Sequence, residues 1–234
     1  MPAGYTHYVF GEQVLDQLDE SIKKRIMPYI DLYHIGIHGP DILFYYDVYK
    51  KNPVKSLGFG MHQLPATDFF KHAKELIRQD ATDATLAYTI GFITHFTLDS
   101  SLHPEIGVLE NTLSMTHSLL ESELDRELLV RVGKDPLTAN LTTHIHPDYT
   151  NAQVIAPFFD LKAEEIDKAL HDLLFILKWL VAPSKLKRSF VLSVMKLGGM
   201  YEEYKGLLIN YEKDEHAAND INRLIEMKDE AVPL

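Results

Sequence analysis

The chain has 234 residues, is 46% hydrophobic and carries a formal net charge of −11, a length that allows one large domain or two small ones and a composition that supports a sizeable core. Its acidity disfavours non-specific binding to nucleic acid, which needs clustered Lys and Arg to neutralise phosphates. The absence of cysteine excludes disulfides and thiolate metal sites, so any metal must be held by His and carboxylates.

The first residues, MPAGYTHYVFGEQ, lack the charged start and apolar core of a signal peptide. No apolar run reaches the roughly 20 residues that span a bilayer. The expectation is a soluble, cytoplasmic protein without a transmembrane segment. Apolar residues recur at helical spacing over residues 11–29, 68–79, 82–102, 113–132, 161–181, 185–196 and 214–230. Thr67, Thr82 and Asp160 suit helix N-caps, and Pro65, Pro104, Pro136, Pro157 and Pro183 punctuate the connections. No stretch alternates as a strand would, and there is no repeat or flexible linker. The reading is all-α, a single multi-helix domain over residues 1–234. Trp179, in LLFILKWL, reads as core.

The chemistry concentrates before Thr150. His95/Asp99 and His117/Glu121 are each four residues apart, so on a helix each pair aims an imidazole and a carboxylate at one volume, a donor set that suits Zn²⁺. The stretch ATLAYTIGFITHFTL around His95 is apolar on nearly every side and reads as buried. A His and an Asp there need partners, because a buried unpaired charge is very costly. His103 either closes the same site or serves a second ion, and His117/Glu121 taken alone also fits a surface pair. Asp41, after Gly39-Pro40 in HGPDILFYY, suits either a carboxylate aimed into a cleft or an N-cap. His62 in GFGMH reads by itself as a loop histidine, with His72 as an alternative, and His7 as a half-buried packing residue. His34/His38 and His144/His146 are weaker ligand candidates. Tyr5, Phe44, Tyr45 and Tyr46 suit either a substrate wall or the core.

Taken together, MPAGYTHYVFG, HGPDILFYY, GFGMH, GFITHFTLDSSLHP and THSLLESE resemble the zinc-dependent phospholipase C family, whose fold is shared with the P1-type nucleases. The resemblance runs from the N-terminus to about Glu123. It implies an all-α fold and two or three Zn²⁺. His62, His95 and Asp99 would hold the first ion, and His103, His117 and Glu121 the second. Asp99 would bridge to a third, completed by His7 and the N-terminal amino group, with Asp41 as general base or extra ligand. The chain departs from the secreted enzymes in its shorter Asp99–His103 spacing and in starting Met1-Pro2 where those use an N-terminal Trp.

What the resemblance implies is a zinc-dependent phosphoric ester hydrolase acting on a small phosphodiester or a phospholipid. The alternatives are a P1-like nuclease or nucleotidase, and a non-catalytic helical binding protein stabilised by zinc. The clusters at residues 50–55 and 185–188 are the nuclease reading's electrostatic support, and they read equally well as solvated surface. No stable nucleic-acid partner is expected, and the sequence leaves the oligomeric state open.

Overall fold

The computed structural model describes residues 4–80 and 82–233. Among them there are helices and no strand, so the all-α reading stands. The helices are α1 (Gly4–Gln17), α2 (Glu20–Ile26), α3 (Ile30–Gly36), α4 (Pro53–Met61), α5 (Thr67–Gln79), α6 (Ala84–Leu113), α7 (His117–Arg131), α8 (Tyr149–Ile155), α9 (Ala163–Leu180), α10 (Lys185–Leu197), α11 (Tyr201–Tyr204) and α12 (Ala218–Glu230). No helix is long and apolar enough to cross a membrane among the described residues.

The chain groups into two compact units. The first comprises the chain up to Phe10, Thr97–Thr142 and everything from Leu177 onward; the second comprises Gly11–Phe96 and Thr143–Ile176. The division falls inside α1, α6 and α9. No linker marks it, so composition along the chain gives no sign of it.

In the second unit, α3 meets α6 backbone to backbone. A Cβ on Gly91 would lie 2.3 Å from the Tyr33 carbonyl oxygen, and one on Gly36 would lie 2.5 Å from that of Tyr88. These contacts require glycine at both positions. The chain then enters a 3-10 turn, Gly39–Tyr45, every residue of which is buried. This turn packs against α4, which starts where Asn52 Oδ1 accepts from the Lys55 amide at 2.8 Å and Pro53 supplies the first helical residue. Phe69 of α5 stacks on Phe92 of α6, ring centroids 3.8 Å apart.

In the first unit, α7 packs against α12 and the 3-10 turn Lys205–Leu207. It buries three acidic side chains, Glu121, Glu123 and Asp125. Glu123 accepts from Asn210 Nδ2 at 3.0 Å and from the Asp214 amide at 3.3 Å. Asp125 accepts from the Thr6 amide at 2.7 Å, the Thr6 hydroxyl at 2.6 Å and the Tyr5 amide at 3.3 Å. It thereby caps the first turn of α1 from 119 residues away in sequence. Burial is the main influence on Asp125 and pushes its pKa up to about 7, against the lowering effect of these bonds.

Several boundaries differ from the sequence reading. The helix expected at residues 11–29 starts earlier and breaks at Asp19, whose carboxylate takes the Ser21 amide at 2.8 Å and caps α2. α6 does not stop at Leu102 but runs through Pro104 to Leu113. Ser100 and Pro104 are both exposed, so the carbonyl that loses its amide partner to proline lies on a solvent-facing side of the helix, where water can replace that partner. Thr82 lies one residue before the N-cap position of α6, its hydroxyl accepting from the Ala84 amide at 3.3 Å, and Asp80 caps the first turn, its Oδ2 accepting from the Thr85 amide at 2.9 Å. Thr67 instead lies within α5. Asp160 has φ of 53° and precedes α9 without capping it. Trp179 is 42% exposed and not core; it lies on α9's last turn, where the periodic apolar face extends past its packing partners.

Candidate metal centre

In the second unit, Asp41, His62 and His95 each offer a ligand atom, all within 4.8 Å of one another. Asp41 comes from the buried 3-10 turn, His62 from the C-cap of α4 and His95 from α6. Gly39, with φ of +51°, lies directly on the His95 ring; a Cβ there would be 2.3 Å from its Cδ2. Asp41 and His95 are only 1% and 2% exposed.

His62 Nδ1 lies 3.0 Å from the Gly58 carbonyl. A carbonyl only accepts, so Nδ1 carries the proton and Nε2 is left to face Asp41 Oδ1, 2.8 Å away. In neutral histidine these are two acceptors pointed at each other, an arrangement that calls for a cation or a second proton between them. Asp41 Oδ2 has no hydrogen-bond partner among the described residues. This donor set fits a divalent ion.

In the first unit, His103, His117 and Glu121 form a second group of the same kind. His117 Nε2 is 3.4 Å and His103 Nε2 is 3.7 Å from Glu121 Oε1, and the two rings meet edge to face at 4.9 Å. The hydrogen bond to Glu121, more than the opposing effect of burial, raises the His117 pKa to about 9. Burial works against ionising Glu121, yet the His103 and His117 imidazoles beside it hold its pKa down to about 2. Its Oε2 has no hydrogen-bond partner among the described residues. Asp99 Oδ1 stands 3.4 Å from His103 Nε2 and 3.2 Å from His7 Nε2. His95, Asp99 and His103 follow one another at four-residue intervals on α6, which requires that helix to continue past Leu102.

Sequence reasoning missed Glu110 and Asp125. Glu110 Oε1 accepts from the His117 amide at 2.9 Å, and its Oε2 lies 3.4 Å from His117 Nδ1. It therefore orients a candidate ligand from behind. Its only signal in the sequence is an acidic residue between the helical stretches 82–102 and 113–132, where the periodicity gives no helix to place it. Asp125 holds the turn of α1 that carries His7. Its signal was an acidic residue among the apolar positions of α7.

The remaining candidates fall elsewhere. His72 Nε2 bonds the Pro157 carbonyl at 2.8 Å and is in neither donor group. The two weaker histidine pairs come together: His38 Nε2 lies 2.7 Å from His144 Nε2, His34 pairs with Glu12 at 2.9 Å, and His146 pairs with Asp31 at 2.9 Å. None of these four histidines belongs to a three-donor group among the described residues. Tyr5, Phe44 and Tyr45 are buried and pack the core, and Tyr46 sits under the Lys168 ammonium, 5.4 Å from its ring centroid. The N-terminal amino group lies outside the described residues.

No curated protein and no solved structure gives a significant match to the chain. The family model described as zinc dependent phospholipase C does match, over residues 6–173. That span includes every residue of both donor groups, together with His7 and Asp99, and covers well over half of the sequence. The chain belongs to the zinc-dependent phospholipase C family.

Proposed function

We propose that the protein is a zinc-dependent phosphoric ester hydrolase whose substrate is a phospholipid or a small phosphodiester of head-group type. The observation that carries the reading is the pair of preassembled groups, Asp41/His62/His95 and His103/His117/Glu121, in a member of a zinc-dependent family. Each group would hold one ion, with His7 and Asp99 available for a further one. Zinc bound there supplies Lewis-acid polarisation of phosphoryl oxygens and lowers the pKa of water to about 7.

The chain's own residues set the conditions for that chemistry. The Gly58 carbonyl holds His62 in the tautomer that presents Nε2. Glu110 orients His117. Of its two candidate roles, Asp41 takes that of ligand, because its Oδ1 already lies beside His62 Nε2. Phe59 is 41% exposed and stacks on Phe44, whose ring is 5.3 Å from that of His62. An apolar edge thus adjoins the donor group and suits the glycerol or acyl portion of a lipid.

The test combines elemental analysis of the purified protein with turnover of a short-chain phosphatidylcholine, a chromogenic phosphodiester and single-stranded oligonucleotides. The expected outcome is at least two zinc ions per chain and faster cleavage of the phospholipid or small diester. Preference for oligonucleotides would transfer the assignment to a P1-like nuclease. No turnover by fully metallated protein would make it a zinc-stabilised binding protein.

A further inference from the structure

The segment from α10 onward lies beyond the family match, which ends at residue 173. The sequence of α10, KLKRSFVLSVMKL, contains four cationic residues and no acidic one, in a chain whose net charge is −11. Its buried side, Val191 and Met195, packs with Ala182 and Leu208. Its outer side is also apolar: Leu186 is 86% exposed, Phe190 56%, Val194 47% and Leu197 90%. At 100° per residue these four fall within one arc of about 80°. They make a continuous stripe, unlike singly scattered surface residues, which need no explanation. Trp179 extends the stripe, its ring 6.0 Å from that of Phe190.

Charge flanks the stripe on both sides. Lys187 lies along one edge, its ammonium 5.6 Å from the Trp179 ring and donating to the Lys178 and Val181 carbonyls at the end of α9. On the other, Lys185 and Lys196 line an open groove of about 350 Å³ that also presents the hydroxyl-bearing Ser189 and Ser193, while Arg188 closes its floor, its guanidinium bonded to the Ile209 and Leu208 carbonyls at 2.7 and 3.2 Å. An exposed Leu/Phe/Trp face bordered by Lys and Arg is the pattern of a helix that lies in a lipid interface, with its apolar side chains below the headgroups and its cations level with the phosphates. The overall acidity does not cancel this local field, because charges more than roughly 8 Å away are screened at physiological salt.

We propose that α10, together with Trp179, is a docking surface for an anionic lipid bilayer: Leu186, Phe190, Val194 and Leu197 enter the interface, and the basic groove takes lipid phosphate. This rests on the hydrolase reading for its meaning, since it would bring the enzyme to lipid substrate, but docking itself is measurable without turnover.

Trp179 is the chain's only tryptophan, so its emission reports directly on this face. The zinc-loaded protein is mixed with vesicles of phosphatidylcholine alone and with vesicles containing roughly one-third phosphatidylserine, and binding is followed by flotation and tryptophan emission. The expected result is association and a blue shift with the anionic vesicles. Leu186→Ser/Phe190→Ser should weaken association about tenfold or more, and Lys185→Gln/Lys196→Gln should remove the preference for anionic lipid. Both variants should retain full zinc and full hydrolysis of a soluble short-chain substrate. The proposal is overturned if zinc-loaded protein floats with neither vesicle, or if the serine variant floats as well as the parent. A concentration-dependent dimer in sedimentation velocity that the serine variant abolishes would overturn it too, assigning the stripe to a second copy. Vesicle binding without any turnover would sustain the docking surface and refute the hydrolase; turnover of soluble substrate without vesicle binding would do the reverse.

Discussion

At the scale of single residues, two carboxylates distinguish the alternatives. If Asp41 is a ligand, Asp41→Asn should lose about one zinc per chain along with activity, because the amide cannot supply an anionic oxygen beside His62. Elemental analysis checks this, and full zinc with lost turnover would restore the general-base role. Glu121 and His117 predict a pH dependence. In the metal-free protein the His117 pKa is raised from its ordinary 6.5 to about 9, so the pair's contribution to stability is complete below 6.5 and is lost as pH rises through 9. The Glu121 pKa is depressed from 4.5 to about 2, so its contribution is complete above 4.5 and fades as pH falls towards 2. Zinc must displace the proton of His117. Its affinity for this group should therefore rise about tenfold per pH unit between 6.5 and 9. Competition titrations with a chromophoric chelator measure that slope, and a flat profile would remove His117 from the ligand set.

At the scale of elements, the site depends on two arrangements of backbone. The α3–α6 crossing leaves no room for a methyl at Gly91, where a Cβ would meet the Tyr33 carbonyl at 2.3 Å. Gly91→Ala should destabilise by about 2–3 kcal/mol through forced separation of the helices, read by urea denaturation; an unchanged midpoint would show the crossing to be looser than described. The second arrangement is the capping of α1 by Asp125. Asp125→Ala leaves the Tyr5 and Thr6 amides without their buried acceptor, at a cost of about 1–3 kcal/mol, and frees the turn that carries His7. Stability should fall and zinc stoichiometry should drop with it. Loss of stability with every zinc retained would separate the cap from the metal site.

At the scale of the molecule, each unit carries one complete donor group, Asp41/His62/His95 in one and His103/His117/Glu121 in the other. Metal bound to the native state stabilises by mass action, about 2.7 kcal/mol at a hundredfold excess over Kd. For a chain of this size that corresponds to roughly 5–10 °C in Tm per ion. Verified removal of zinc should lower Tm by at least that amount, and calorimetry with and without chelator tests it. An unchanged Tm would mean that neither group contributes to folding stability.

Local geometry was legible in the sequence. A spacing of four residues on an apolar helix states which side chains share a face whatever the rest of the chain does, so His95/Asp99 and His117/Glu121 could be read directly, as could the all-α class. The ordered motifs identified the family for the same reason: each is a short, local string. Everything that depended on which distant segments meet was decided by tertiary structure. Asp41 met His62 because a buried 3-10 turn packs on α4. Glu110 reached His117 because α6 continues through a solvated proline. Asp125 found Thr6 across 119 residues. The same limit misassigned Trp179 to the core. Periodicity says that a helix has an apolar face, and only the packing of its neighbours determines whether that face is buried or left in solvent.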